Sequence, residues 1–148
     1  MNKKWFFLIF LILIISGCAT TATGPLFKEA PVSGDKKSAI YIFQVKTPLV
    51  YPATAKINGK PFVQLARNGY SYTYLSPGVY KLSFDTNVLA LAAGLVSEIE
   101  IQEGKDIYLE FSDGSAQQSL REIPKEQALE KFKNFSYIEP LNTEFQKV

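Results

Sequence analysis

From residue 38 to about residue 112, apolar and polar positions alternate in short runs, and most runs stop at glycine or proline. Period-two alternation bounded by turn residues is the pattern of β-strands. Residues 38–46 open it with Ile40-Tyr41-Ile42-Phe43, a β-branched and aromatic stretch suited to a core strand. Residues 51–57 form a second strand, closed by Asn58-Gly59-Lys60; Asn-Gly is the favoured pair where both turn residues need positive φ. Residues 61–66 return, Arg67-Asn68-Gly69 turns by the same chemistry, and residues 70–75 run to a third turn at Ser76-Pro77-Gly78. In residues 79–85, Tyr80, Leu82 and Phe84 share one face and Lys81, Ser83 and Asp85 the other, the mark of a half-buried antiparallel strand. Residues 95–102 set Ile99 and Ile101 against Glu98, Glu100 and Gln102. After Glu103-Gly104-Lys105, residues 106–112 set Ile107, Leu109 and Phe111 against Tyr108 and Glu110. Residues 117–123 carry a weaker strand signal. The one clear helix spans residues 124–135, with proline in its first turn and Ala128, Leu129 and Phe132 on one face. The tail from Ser136 has no readable period. The expected fold is mainly β: an antiparallel sandwich of about seven strands, transthyretin-like or immunoglobulin-like, with the helix on one side or end.

The first 22 residues follow a different rule. Lys3 and Lys4 precede an unbroken apolar run, residues 5–15, and then Ser16-Gly17-Cys18. Basic start, short apolar middle and small residues are the order of a secretory signal. The rival reading is an uncleaved anchor. It is weakened because a helix needs about 20 apolar residues to span a bilayer, and Ser16, Gly17, Thr20 and Thr21 interrupt any extension.

Ile15-Ser16-Gly17-Cys18 resembles a bacterial lipobox. The resemblance implies cleavage between Gly17 and Cys18, lipidation of the Cys18 sulfur and acylation of its new amino terminus. A single acyl chain holds a protein only weakly; the three chains of a bacterial lipoprotein would make release negligible. The residue after the cysteine is Ala19, not aspartate, which in a Gram-negative cell implies the outer membrane. The chain then divides into a signal peptide (1–17), the lipidated cysteine with a flexible tether (18–37), and the sandwich domain with its helix (38–148). A tether of this length has a root-mean-square reach of roughly 25 Å. Leu26 and Phe27 are its exceptions, apolar enough to dock on the domain or to dip into lipid.

Composition narrows the function. Loss of Lys3 and Lys4 leaves fourteen basic against fourteen acidic residues, and the only arginines are Arg67 and Arg121. With no basic run, nucleic acid is not an expected partner. There is no histidine and one cysteine, so Ser-His-Asp and Cys-His catalysis are ruled out and zinc or copper sites are disfavoured. No internal disulfide is possible, so the domain must rest on its core. No cofactor, metal site or enzymatic activity is expected.

Ile40-Tyr41-Ile42-Phe43, Ile57-Asn58-Gly59-Lys60, Asn68-Gly69-Tyr70 and Pro77-Gly78-Val79-Tyr80 stand in that order. The array resembles bacterial lipoproteins built on a domain of unknown function, with a transthyretin-like or PEGA-like sandwich. At fold level it is also similar to the sandwiches of lipoproteins that anchor envelope machines, such as the type VI secretion lipoprotein. The motifs are turn chemistry, so they speak to fold and carry no catalytic residues with them.

Three features could carry function. Tyr70, Tyr72 and Tyr74 fall on one strand face, either as an aromatic platform for sugar or peptide, or as rings packed beneath a neighbouring element. Residues 87–96 carry no charge and include Leu89, Leu91 and Leu95; they are either a buried crossing or an exposed interface. The carboxylates Glu98, Glu100, Glu103, Asp106, Glu110 and Asp113 suit a solvated face better than a glycosidase pair or calcium loop. Together these indicate a lipid-anchored adaptor holding an envelope protein at the periplasmic face of the outer membrane. The alternative is a small-ligand or glycan-binding module using the tyrosine face.

Overall fold

The structure is a computed structural model, described here for residues 21–45, 52–86, 94–113 and 118–147. It is mainly β, with nine strands and one helix among those residues. The strands are β1 (Ser38–Gln44), β2 (Ala53–Ile57), β3 (Lys60–Leu65), β4 (Gly69–Leu75), β5 (Gly78–Thr86), β6 (Leu95–Ile101), β7 (Ile107–Asp113), β8 (Gln118–Glu122) and β9 (Ser136–Tyr137). The helix, α1, is Lys125–Phe132. Two sheets form, ordered β8-β7-β1-β4-β9 and β3-β2-β5-β6. The eight longer strands each lie within a few residues of the runs read from alternation, and β9 is the short addition.

Five of the seven strand pairings are antiparallel, but β1 pairs in parallel with β7, and β4 with β9. Parallel neighbours need a long crossover, and here strands β2 to β6 supply it. An immunoglobulin constant domain puts strands 1, 2, 4 and 5 in one sheet; here 1 and 4 lie in one and 2 and 5 in the other.

Every residue of β1 is buried, because its sheet is covered on both faces. Ile40 and Ile42 join Leu82, Phe84, Leu109 and Phe111 in the core between the sheets. Phe84 and Phe111 stack there at 4.2 Å with rings 4° from parallel. Ala39, Tyr41 and Phe43 point the other way, into a second core with Tyr70, Tyr108, Ala128, Phe132 and Phe135. The sandwich therefore has a third layer, made by α1 and the segment before β1. Phe132, fully buried, is its centre, lying 4.8 Å edge-on to Phe43 and 4.5 Å from Phe27.

The stretch read as a flexible tether is laid on this outer layer through residues 21–31. Thr21 bridges Arg67, the Ala22 N–H donates to the Arg67 carbonyl at 3.2 Å, and the Phe27 N–H donates to the Phe135 carbonyl at 3.1 Å. The Lys28 and Ala30 N–H groups donate to the hydroxyls of Tyr70 and Tyr41 at 3.1 and 2.8 Å. The cause is Phe27, whose ring fills the space between Tyr70 and Phe132 and carries the backbone down with it. Of the two options for Leu26 and Phe27, Phe27 docks and Leu26 stays exposed.

Asn58 and Gly59 have φ of 49° and 79°, as a type I′ turn requires. The Asn58 side chain accepts from the Lys81 N–H at 2.7 Å and ties the hairpin to β5. The second turn works differently. Asn68 is left-handed at φ 53°, while Gly69 is needed for space: a Cβ there would fall 2.3 Å from Ile138 Cδ1 and 2.9 Å from the Ala66 carbonyl oxygen. The tail leaves β9 and crosses the sandwich edge, with the Leu141 N–H donating to the Phe62 carbonyl and Phe145 edge-on to Phe62 at 5.9 Å.

Candidate ligand groove

β4 presents Tyr70, Tyr72 and Tyr74 on the outer face of the five-stranded sheet, as alternation requires. The third layer then separates their fates. Tyr70 is 2 % exposed, with Phe27 edge-on at 5.0 Å and Phe132 at 5.3 Å. Tyr72 and Tyr74 lie beyond the helix and are half-buried. The open aromatic surface is thus Tyr72, Tyr74 and Tyr137, not an even row of three. Tyr72 lies 5.9 Å edge-on to Tyr74 and 5.6 Å from Tyr137. The Tyr74 hydroxyl donates to the Pro31 carbonyl. Tyr137 comes from the two-residue strand β9, in a tail with no period, so no sequence signal marked it as a neighbour of Tyr72.

Two cavities meet at these rings. One, of about 320 Å³, lies between β4 and the docked amino-terminal segment, with Pro25, Lys28, Glu29 and Pro31 on one side and Tyr72, Tyr137 and the edge of the otherwise buried Tyr70 on the other. The second, of about 380 Å³, lies between β4 and the tail, lined by Lys37, Thr73, Tyr74, Glu139 and Glu144 together with the same Tyr72 and Tyr137. Both volumes fall in the range of small-molecule sites; the first cavity is walled mostly by apolar surface, as such sites are, whereas the second is as polar as it is apolar. Burial raises the Tyr137 hydroxyl pKa to about 12, helped by the Glu139 charge, and burial likewise raises Tyr74. Both phenols are therefore neutral hydrogen-bonding groups at physiological pH. This chemistry can hold a ring face or an extended chain and donate to its oxygens.

Deeper in the outer layer, Tyr41 and Tyr108 stack at 4.7 Å. Burial raises both hydroxyls, Tyr108 to about 12, and the Tyr108 hydroxyl has no hydrogen-bond partner among the described residues. Glu110, on the same face of β7, is buried. Burial pushes its carboxyl up, but bonds from Lys131 and Arg121 outweigh that and hold it below the usual carboxylate range. Arg121 lies 2.7 Å from one carboxylate oxygen and Lys131 2.8 Å from the other. The cluster clamps α1 and β8 onto β7. Glu110 is therefore an exception to the solvated acidic face, whereas Glu98, Glu100, Glu103 and Asp106 are exposed.

Leu95 opens β6 and packs partly buried against the inter-sheet core, its N–H donating to the Gln118 side chain at 3.1 Å. Gly17, Cys18, Leu89 and Leu91 lie outside the described residues, as does the apolar run 5–15. Among the described residues, no helix is long and apolar enough to cross a membrane, and no group of three or more acidic, cysteine or histidine side chains is placed to hold a metal ion. Comparison with protein-family models and with curated proteins finds no match for this chain.

Proposed function

We propose that this chain is a lipid-anchored, non-catalytic binding protein of the cell envelope. Cys18 would be its acylated amino terminus, and in a Gram-negative cell the domain would face the periplasm from the outer membrane. The domain holds an envelope partner near that membrane, and the contact surface is the groove at Tyr72, Tyr74 and Tyr137. The observation that supports this reading is the meeting of two ligand-sized cavities at Tyr72 and Tyr137. The groove's polar equipment is phenols, two threonines, lysines and glutamates, with no histidine or cysteine, which suits recognition better than bond making. Half-buried tyrosines with a free ring face also favour a second reading, a module for soluble glycans.

Mass spectrometry of the amino-terminal peptide tests the anchor: an acylated Cys18 is expected, and Cys18→Ser should release the protein from membranes. For the groove, a photocrosslinker at Tyr72 in living cells should give a discrete protein adduct. Calorimetric titration with envelope oligosaccharides, repeated with Tyr72→Ala, tests the glycan reading. Neither an adduct nor glycan binding lost in Tyr72→Ala, in a folded protein, would refute the groove as the contact surface.

A further inference from the structure

The tyrosine layer already holds one peptide, the chain's own residues 24–31. Each phenol that bonds this segment does so through the main chain. The Tyr70 and Tyr41 hydroxyls accept from the Lys28 and Ala30 N–H groups at 3.1 and 2.8 Å, and the Tyr74 hydroxyl donates to the Pro31 carbonyl. The Tyr137 N–H donates to the Pro25 carbonyl at 2.8 Å. Both prolines of the segment thus present their carbonyls to tyrosines, and both line the first cavity. Main-chain bonds depend little on side-chain identity, so such a layer is suited to a second peptide.

Tyr72 and Tyr137 are the open phenols of this layer. Among the described residues neither hydroxyl has a hydrogen-bond partner. Their rings, 5.6 Å apart, form the ridge at which the two cavities meet. An occupant of both cavities crosses that ridge, so it is elongated, with oxygens free to take the two hydroxyl protons. A polyproline II segment has this form, because its backbone makes no internal hydrogen bonds. Each proline also lacks the N–H that an apolar wall would leave unsatisfied.

Charge selects further. In the first cavity Glu29 is ion-paired to Lys125 at 3.2 Å, which leaves Lys28. In the second, Lys37 lies 4.0 Å from Asp35, which leaves Glu139 and Glu144. Among the described residues no ion pair holds Lys28, Glu139 or Glu144. The groove is therefore positive at one end and negative at the other. A cationic side chain belongs beside Glu139 and Glu144, and main-chain oxygens or a carboxylate beside Lys28. A neutral glycan would answer none of these charges.

We infer, resting on the contact surface proposed above, that the groove binds an extended, proline-containing segment of its partner. Proline or aliphatic side chains fill the apolar first cavity, and a lysine or arginine sits at Glu139 and Glu144 in the second.

The probe is an array of immobilised peptides of about ten residues, roughly 30 Å long as polyproline II, with proline and arginine positions varied over an alanine background. The protein is the full lipidated chain in detergent micelles. Retained peptides should carry proline and arginine together. For the tightest of them, measured in solution by fluorescence polarisation, exchanging its arginine for glutamate should weaken binding about tenfold. Tyr72→Ala should weaken it about tenfold as well. Tyr72→Phe, which keeps the ring and loses the hydroxyl, should weaken it about fivefold. Glu139→Gln combined with Glu144→Gln should erase the preference for arginine and keep that for proline; both side chains are exposed, so the fold tolerates the change. No retained peptide, retention that ignores proline, or binding unchanged in Tyr72→Phe overturns the inference. Envelope oligosaccharides that bind through Tyr72 where no peptide does overturn it in favour of a glycan. If a photocrosslinker at Tyr72 still captures a protein in cells, the contact surface stands and only the peptide chemistry falls; without capture or glycan binding, both fall.

Discussion

Replacing Phe27 by alanine should undock the amino-terminal segment. The ring touches Phe132 at 4.5 Å, Tyr70 at 5.0 Å and Tyr41 at 6.3 Å between centroids. A fully buried Phe→Ala change costs about 3–5 kcal/mol. Phe27 is only partly buried, so about 2 kcal/mol is the appropriate size. That energy holds down the amides of Ala22, Phe27, Lys28 and Ala30. If the segment opens locally, exchange at those four amides should accelerate about 30-fold, since 1.4 kcal/mol is tenfold. Amides of Ile40 and Ile42, in a strand bonded on both sides, should keep their protection. Tm should fall by no more than about 8 °C. Residue-resolved hydrogen exchange on wild type and variant reads all of this. Amides that already exchange at unfolded rates in the wild type, or that change less than about threefold in the variant, would refute the docking.

Four further variants have expected outcomes. Glu110→Gln should cost about 2 kcal/mol, because it strips the counter-charge from Lys131 and Arg121 while both still reach solvent. The Glu110 pKa is lower folded than unfolded, so its contribution is present above the ordinary value of 4.5 and is lost as pH falls through the folded value. The Tm gap between wild type and variant should therefore narrow below about pH 4.5, and a gap constant from pH 7 to pH 3 would refute the assignment. Gly59→Ala, at φ 79° with open space around it, should cost about 1 kcal/mol in denaturant unfolding. Gly69→Ala, which meets Ile138 and the Ala66 carbonyl, should cost about 2–3 kcal/mol by the same assay; the reverse order would show that Ile138 yields and that the close approach does not require glycine there. Phe84→Leu should lower stability by about 1–2 kcal/mol through loss of the stack on Phe111, and unchanged chemical denaturation would argue against that pair.

Some of this protein is decided by the sequence alone. In β5, the alternation of Tyr80, Leu82 and Phe84 with Lys81, Ser83 and Asp85 states which face is buried, and the structure buries that face. A strand exposes successive side chains to opposite sides whatever lies beyond them. Asn58-Gly59 states its own turn, because the positive φ values it needs are a local steric matter. The outer layer is different, because burial there depends on partners distant in the chain. Tyr70, Tyr72 and Tyr74 are equivalent by period, yet Phe27 and Phe132, 43 and 62 residues from Tyr70 in sequence, cover only the first. Glu110 looks like any outward carboxylate until α1 folds over it with Lys131. The Gly/Pro-rich composition of residues 19–37 reads as a tether, and one phenylalanine, given a hole to fill, holds part of it down. The parallel pairing of β1 with β7 and the groove at Tyr72 and Tyr137 likewise arise from the crossing of segments remote in sequence. Local sterics and side-chain period are written residue by residue, whereas coverage of a second sheet face depends on which distant apolar groups meet in three dimensions.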